Sequence, residues 1–213
     1  MTRNKAHILI FLLATLAILL LGGFFLAAYP KTEIHLFINT HHSPAADIFF
    51  KYVTYFGEGW MFLLAIPAML FFSWRNGLAI ALAGLFTGIF TALFKNGFYK
   101  GAPRPVEFLR DVADLYIVPG VEINHWNSFP SGHTMAAFAL YFTLAITIQK
   151  RGWSFIFFII AVLVGYSRMY LSQHFLVDVV AGAGLGLVAA SLAMFIVSKF
   201  PQKILDKRAL DLF

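Results

Sequence analysis

The feature that most constrains this chain is a series of long apolar runs. Six runs contain at most one charged side chain each. A helix needs about 20 mostly apolar residues to cross the roughly 30 Å hydrocarbon core of a membrane. The sequence therefore predicts an all-α, polytopic membrane protein with six transmembrane helices in a single domain, residues 1–213. The predicted spans are His7–Ala28, Trp60–Trp74, Leu78–Phe94, Thr134–Ile148, Phe155–Leu171 and Leu176–Val197.

The composition argues against a soluble domain and against a nucleic-acid binder. Only 12% of the residues are charged and 60% are hydrophobic, whereas a soluble domain has about 25% charged residues. The net charge is +6, but the basic residues lie at the ends of the apolar runs and form no single patch. No nucleic-acid partner is therefore predicted. The chain has no cysteine, which excludes disulfides and thiolate metal sites.

The region around the first two spans holds three features that need interpretation. The first apolar run is longer than the roughly 7–15 residues of a signal-peptide core, so we expect an uncleaved helix. The run Ile48–Tyr52 mixes apolar and polar residues and predicts a short helix lying on the membrane interface. His41 and His42 are of a metal-ligating type, but such residues are more often solvated, and no metal site is predicted.

The distribution of Lys and Arg predicts the orientation of the chain. With six spans both termini lie on one side, and that side carries nine basic residues and two acidic ones. Cytoplasmic loops are enriched in Lys and Arg. We therefore expect a multi-pass membrane protein with cytoplasmic termini and its long loops facing the periplasm or exterior. The charged residues on the side of the termini are Arg3, Lys5, Arg75, Lys150, Arg151, Lys199, Lys203, Lys207, Arg208, Asp206 and Asp211.

Three polar clusters interrupt the apolar pattern. They are Lys95–Pro105 after the third span, Phe129–His133 at the start of the fourth, and Ser167–Asp178 between the fifth and sixth. Spans three and five run outward, and span four starts on the outer side. All three clusters therefore reach one membrane level, whereas chance placement would scatter them over both faces.

Two histidines and one carboxylate in these clusters suit nucleophilic catalysis. His174 and Asp178 are four residues apart, so on a helix they share one face. The carboxylate can fix the imidazole tautomer and leave the other nitrogen free to attack. His133 is a second imidazole at the same level, suited to protonate a leaving oxygen.

The remaining polar residues of the clusters suit an anion. Free N–H groups at a helix start can bind an anion, and cationic side chains bind phosphate oxygens through charge-assisted hydrogen bonds. The candidate phosphate-binding residues are Lys95, Arg104, Ser131, Gly132 and Arg168. Taken singly, Arg168 and Asp178 could form a structural ion pair, and the two histidines could be satisfied interfacial residues. For the whole set of residues, these structural interpretations are weaker than the functional one, because ionisable groups near membrane spans are costly and usually functional.

At these positions the sequence resembles the type 2 phosphatidic acid phosphatase (PAP2) superfamily. The family has a Lys and an Arg-Pro, then Pro-Ser-Gly-His, then Ser-Arg, a His six residues after that Arg and an Asp four residues after the His. Pro130–His133 matches the second part, and Ser167, Arg168, His174 and Asp178 match the third. The resemblance covers Lys95–Asp178 in its motifs and nearly the whole chain in its six-helix layout.

The first part of the motif departs from the family. The usual pattern has six residues between the Lys and the Arg, and that spacing would fall on Gly97. Here eight residues separate Lys95 from Arg104, and three separate Lys100 from Arg104. We favour Lys95, which lies at a helix end, with Lys100 as the alternative.

The resemblance implies a lipid phosphatase that works without a metal or other cofactor. It implies a phosphohistidine on His174, polarised by Asp178, with His133 protonating the leaving group and the five phosphate-binding residues holding the phosphate. The implied substrates are undecaprenyl diphosphate, phosphatidylglycerol phosphate, phosphatidate or lipid A, taken from the bilayer at the outer face. The rivals are a phosphoryl or head-group transferase with the same residues and a non-catalytic lipid transporter. The spacing of Gly182 and Gly186 also allows a homodimer, although close packing within the chain is the stronger reading.

Overall fold

The computed structural model of the protein describes residues 6–201, and that range contains helices but no strand. It also contains a 3₁₀ turn, Thr54–Gly57, and a π-helical turn, Leu93–Phe98. The α-helices are α1 Ala6–Ala28, α2 Lys31–Asn39, α3 Pro44–Val53, α4 Trp60–Phe72, α5 Trp74–Ala92, α6 Pro105–Phe108, α7 Gly132–Ile148, α8 Arg151–Tyr170 and α9 Leu176–Ser198.

Each predicted span coincides with a helix, but the number of membrane crossings differs from the prediction. By length and composition, α1, α5 with its π-helical turn, α8 and α9 can each cross a membrane. The α3–α4 pair qualifies as a fifth span only if both helices count together, and they are bent by 56°. Helix α7 is shorter than a span of this kind. The all-helical membrane architecture is confirmed, whereas the count of six spans is not.

Helix α7 lies at the centre of the bundle and contacts α1, α5, α8 and α9. Most of its residues are buried, and four of the buried ones are alanines. A helix surrounded by other helices meets protein on all sides, so it needs neither the length nor the large apolar side chains of a lipid-facing span. Its central position puts its first turn among the ends of the surrounding helices.

The outer surface of the bundle is apolar. Helix α1 exposes Leu9, Leu13, Leu16, Leu20 and Phe24, which recur at helical spacing along one stripe. Continuous exposed apolar surface of this kind marks contact with lipid or with another protein. This stripe fits a helix that faces the bilayer, as the apolar sequence predicts.

Two glycines of α9 bring that helix against α7. A Cβ atom on Gly182 would lie 2.7 Å from the carbonyl oxygen of Ser131, and one on Gly186 would lie 2.6 Å from that of Met135. Both contacts are too close for any side chain, so the glycines set the distance between the two helices. They serve packing within the chain, and a homodimer stays a prediction without support from this pair.

The segment between α1 and α4 is more helical than predicted. The predicted interfacial helix at Ile48–Tyr52 lies within α3, and its position at the interface stays a prediction. Helix α2 was missed because its short, polar sequence lacks a long apolar run. Its buried face carries His35 and Asn39, which contact the turn that follows α8, as described below.

Four of the basic residues that predict the orientation lie at the end of the bundle opposite the three polar clusters: Arg75, Lys150, Arg151 and Lys199. Arg75 at the start of α5 donates to the carbonyl oxygen of Val197 near the end of α9, at 3.0 Å. Lys150 and Arg151 connect α7 to α8 at the same end. Which side of the membrane this end faces stays a prediction. Arg3, Lys5, Lys203, Lys207, Arg208, Asp206 and Asp211 lie outside the described residues.

Candidate active site

The three polar clusters meet at one end of the bundle. His174 lies in the turn between α8 and α9, His133 lies in the first turn of α7, and Lys95 lies in the π-helical turn after α5. The second and third clusters are joined directly, because the backbone N–H of Ser131 donates to the carbonyl oxygen of Asp178 at 3.0 Å. The convergence expected from the topology is therefore present.

His174 is held at one ring nitrogen. Its Nδ1 atom lies 3.3 Å from Oδ2 of Asp178, and both side chains are almost fully buried. The same carboxylate oxygen accepts hydrogen bonds from the Ser128 hydroxyl and from the Phe175 backbone N–H at 3.0 Å. Within residues 6–201, Nε2 of His174 makes no hydrogen bond. The arrangement thus orients the ring and leaves Nε2 available.

The backbone of the turn that carries His174 is fixed from two sides. The N–H groups of Gln173 and His174 both donate to the carbonyl oxygen of Arg168, at 2.9 and 3.0 Å. Ser172 has a positive φ of 52°, and its hydroxyl accepts from Asn39 and contacts Nε2 of His35, each at 3.2 Å. Helix α2 therefore supports the turn from outside.

The surroundings of His174 disfavour its protonated form. Burial lowers the pKa of His174 well below its ordinary value, and the charges of Arg104, Arg168 and Lys95 lower it further. The imidazole is therefore neutral at neutral pH, and with a proton on Nδ1 its lone pair is on Nε2. A neutral imidazole with a free lone pair is the form that can act as a nucleophile.

Arg168 has spare capacity for an anion. Its Nη1 donates to the Thr54 hydroxyl at 2.6 Å, but its buried Nε has no hydrogen-bond partner among the described residues. A buried donor without a partner is costly, and an oxygen of a bound anion would satisfy it. Arg168 and Asp178 form no ion pair in the described part of the chain, so the structural ion-pair interpretation of these residues gains no support.

Arg104 is held by protein groups. Its Nη1 donates to Oε1 of Gln173 at 2.7 Å, and its Nε donates to the carbonyl oxygen of Trp126 at 3.0 Å. Gln173 in turn donates to the carbonyl oxygen of Glu122 at 2.9 Å. Arg104 thus anchors the loop before α7 to the His174 turn while it contributes positive charge to the site.

The start of α7 differs in part from the expected anion cradle. The prediction of a free N–H at Ser131 is wrong, because that group donates to Asp178, while the Ser131 hydroxyl accepts from the Thr134 side chain at 2.8 Å. Gly132 keeps a free N–H within residues 6–201. A Cβ atom at Gly132 would lie 4.0 Å from Nζ of Lys95, so this glycine lies next to the lysine.

The π-helical turn decides where the two candidate lysines lie. Lys95 is half-buried beside Gly132 and His133, whereas Lys100 is exposed in the turn that follows. The longer spacing to Arg104 is taken up by the π-helical turn and by Gly101, whose φ of 77° favours glycine. The geometry therefore favours Lys95.

Replacing Lys95 with alanine is expected to lower kcat/KM for the lipid substrate by about 10²–10³-fold, because a preorganised cationic donor at the phosphate is lost. Lys100→Ala is the matched control and should stay within about twofold of the wild type, since exposed charges far from the site contribute little. Phosphate release by the two purified variants checks this. An equal loss in both, or a larger loss in Lys100→Ala, would contradict the assignment.

A groove leads from the site into the bundle surface. It has a volume of about 980 Å³ and lies between α4, α5 and α7. Glu58, Lys95 and His133 line its polar end, and the rest of the lining is mostly apolar. The apolar lining residues include Phe62, Leu63, Ile66, Ala81 and Leu85. A groove with this division can hold an amphiphile with its polar group at the histidines.

Several residues of the site escaped the sequence interpretation. Ser128 and Gln173 lie next to motif residues, and this adjacency is a signal that could have marked them. Thr54 and Glu58 carry no signal, because they belong to a segment more than 70 positions before His133 and reach the site only through the packing of α3 and α4.

The sequence profile of the PAP2 superfamily matches residues 72–202, a range that contains all three polar clusters. The chain belongs to the PAP2 superfamily. This PAP2 protein is 32% identical over 182 residues to a lipid A 4'-phosphatase of Bacteroides thetaiotaomicron. The aligned residues cover 81% of this chain and 79% of that one. It is 27% identical to an undecaprenyl-diphosphatase of Sulfolobus acidocaldarius over 94% of each chain.

A solved structure also resembles this PAP2 protein. The crystal structure of Aquifex aeolicus LpxE superimposes with a TM-score of 0.68 at 28% identity and covers 76% of this chain and 93% of that one. The family prediction, the helical membrane fold and the assignment to phosphatases are thus confirmed. The lipid substrate and the roles of individual residues stay proposals.

Proposed function

We propose that this PAP2 protein hydrolyses a phosphate ester or diphosphate of a membrane lipid through a phosphohistidine on His174. The observation that carries the proposal is the free Nε2 of His174, oriented by Asp178 and surrounded by Lys95, Arg104 and Arg168. A neutral nucleophile among fixed cations is what transfer of an anionic phosphoryl group needs, because this chemistry depends on positioning and charge neutralisation.

In the first step, Nε2 of His174 attacks phosphorus, and the bond from phosphorus to the lipid oxygen breaks. His133 gives its proton to the leaving oxygen. Asp178 holds the Nδ1 proton and stabilises the positive charge that develops on the ring. The products are phosphohistidine and the dephosphorylated lipid.

In the second step, a water molecule attacks the phosphorus of the phosphohistidine. His133, now neutral, takes a proton from that water, and the nitrogen–phosphorus bond breaks. Inorganic phosphate leaves, and both histidines return to their starting states. The cycle needs no resident metal, since Lys95 and the arginines supply the positive charge.

The proposed phosphate contacts differ in kind. Lys95, the spare Nε of Arg168 and the N–H of Gly132 are free to meet phosphate oxygens. Arg104 acts mainly through its charge and through its anchoring bond to Gln173. Ser131 caps α7 through its hydroxyl and joins α7 to Asp178 through its N–H.

The groove supports a lipid substrate with its head at the histidines and its tail along α4 and α5. Lipid A and undecaprenyl diphosphate are proposed substrates because they are the named substrates of the relatives, and phosphatidylglycerol phosphate and phosphatidate share the same head-group chemistry. We propose a multi-pass protein of the bacterial inner membrane with the site at its outer face, in line with the basic residues at the opposite end.

Phosphate release by the purified protein in detergent tests the function. The four lipids are assayed separately, each with and without EDTA, and with His174→Ala as the blank. We expect release from at least one lipid, unchanged by EDTA and absent in the variant. No release from any lipid by folded protein, or release that requires an added alcohol acceptor, would contradict hydrolysis and favour the transferase.

A further inference from the structure

Glu58 lies at the polar end of the groove, opposite His133. Its Oε1 atom is 3.9 Å from Nε2 of His133, and each side chain is about one-third exposed to the groove, at 35% and 31%. The residue occupies the break between the 3₁₀ turn and α4. The position lies outside the three polar clusters and outside the range that the family profile matches.

The packing fixes Glu58 relative to the site. A Cβ atom on Gly57 would lie 2.8 Å from the carbonyl oxygen of His133 and 2.4 Å from Cγ1 of Val164. Only glycine at this position therefore lets the segment pack against the first turn of α7 and against Val164 of α8. Thr54 ties the same segment to Arg168. The backbone of Glu58 is thus held against both neighbouring helices at the site.

Glu58 is the one carboxylate facing His133 among the described residues. Burial and the positive charges of Arg168, Lys95 and Arg104 oppose a protonated imidazole at His133. A general acid must carry its proton when the substrate binds, and a nearby carboxylate favours the charged form of an imidazole. Glu58 lies 3.9 Å from Nε2 of His133, so it is placed to offset these effects.

We propose that Glu58 is a positioning residue that pairs with Nε2 of His133 and keeps this histidine protonated for the leaving oxygen. Nδ1 of His133 then donates the proton. The separation of 3.9 Å closes to a hydrogen bond when substrate fills the groove, since catalytic contacts often tighten only in the complex. The site thus contains two histidine–carboxylate pairs, one for the nucleophile and one for the acid. This inference rests on the proposed function.

The test exploits the leaving group. The probe is the lipid of the four-member panel with the highest wild-type turnover, paired with its analogue in which sulfur replaces the oxygen of the bond that breaks. A thiolate leaves without a proton, so the analogue bypasses the general acid. Glu58→Gln should lower kcat for the oxygen lipid by about 10²-fold and kcat for the sulfur analogue by less than about threefold, with KM nearly unchanged.

Two further variants complete the experiment. Glu58→Asp should recover part of the lost kcat, because it restores the charge at a longer distance. Glu33→Gln, an exposed carboxylate on α2, should behave as the wild type. Equal losses on both probes would mean a structural role and overturn the inference, as would a lower KM with unchanged kcat, which would mean repulsion of the phosphate. Failure of the wild type on every lipid would instead contradict the proposed function itself.

Discussion

His174→Ala is expected to lower phosphate release from the lipid substrate by at least about 10⁴-fold, because the variant lacks the imidazole nitrogen that attacks the phosphorus. The loss should fall on kcat, since Lys95 and the arginines that hold the phosphate remain in place. The oxygen and sulfur forms of the substrate should lose equally, because the missing step is the attack and not the departure.

His41→Ala is the matched control. His41 is exposed just after α2, and its side chain bonds to Phe37 and Thr40, so its loss should leave turnover within about twofold of the wild type. Activity assays on both variants, with circular dichroism to check folding, decide the matter. A folded His174→Ala protein that retains more than about a hundredth of the wild-type turnover would contradict the role of His174 as nucleophile.

Asp178→Asn is expected to lower kcat by about 10³–10⁴-fold with little change in KM. The amide can still accept the Phe175 N–H bond, but it cannot stabilise the charge on the ring, and it no longer enforces the tautomer with the proton on Nδ1. Loss of this function in the related serine–histidine–aspartate arrangement has an effect of this size.

The stability of the Asp178→Asn protein separates catalysis from folding. Asp178 also accepts from Ser128, so a purely structural role would lower the melting temperature while the folded fraction kept its specific activity. We expect the reverse, a small change in melting temperature and a large loss of specific activity. Asp114→Asn, in the exposed loop before α7, is the control and should match the wild type in both measurements.

The sequence predicts the six longest helices well because each contains a long apolar run. The main error concerns α7 and α4, which are short or bent. Hydropathy identifies an apolar helix, but whether the helix meets lipid or other helices depends on the assembled bundle. The central position of α7, set by Gly182 and Gly186, is a property of packing that no single segment encodes.

The sequence also predicts the convergence of the polar clusters, because alternating spans fix which ends lie together. It does not predict how hydrogen bonds are distributed there. Ser131 fits a motif position, yet its N–H is already used by Asp178. Arg104 likewise fits a motif position, yet its Nη1 already donates to Gln173. Glu58 reaches His133 only because Gly57 allows the close approach, and such contacts between distant segments leave no pattern in the chain.

The most direct test of the account is to trap the phosphorylated protein. The wild type is mixed with a lipid substrate labelled with ³²P in the phosphate, quenched in alkali within milliseconds, and digested for mapping. The account predicts a label that is stable in alkali, labile in acid, located on the peptide containing His174 and absent from His174→Ala. Turnover of the lipid without any labelled protein at the earliest times, or a label on another residue, would contradict it.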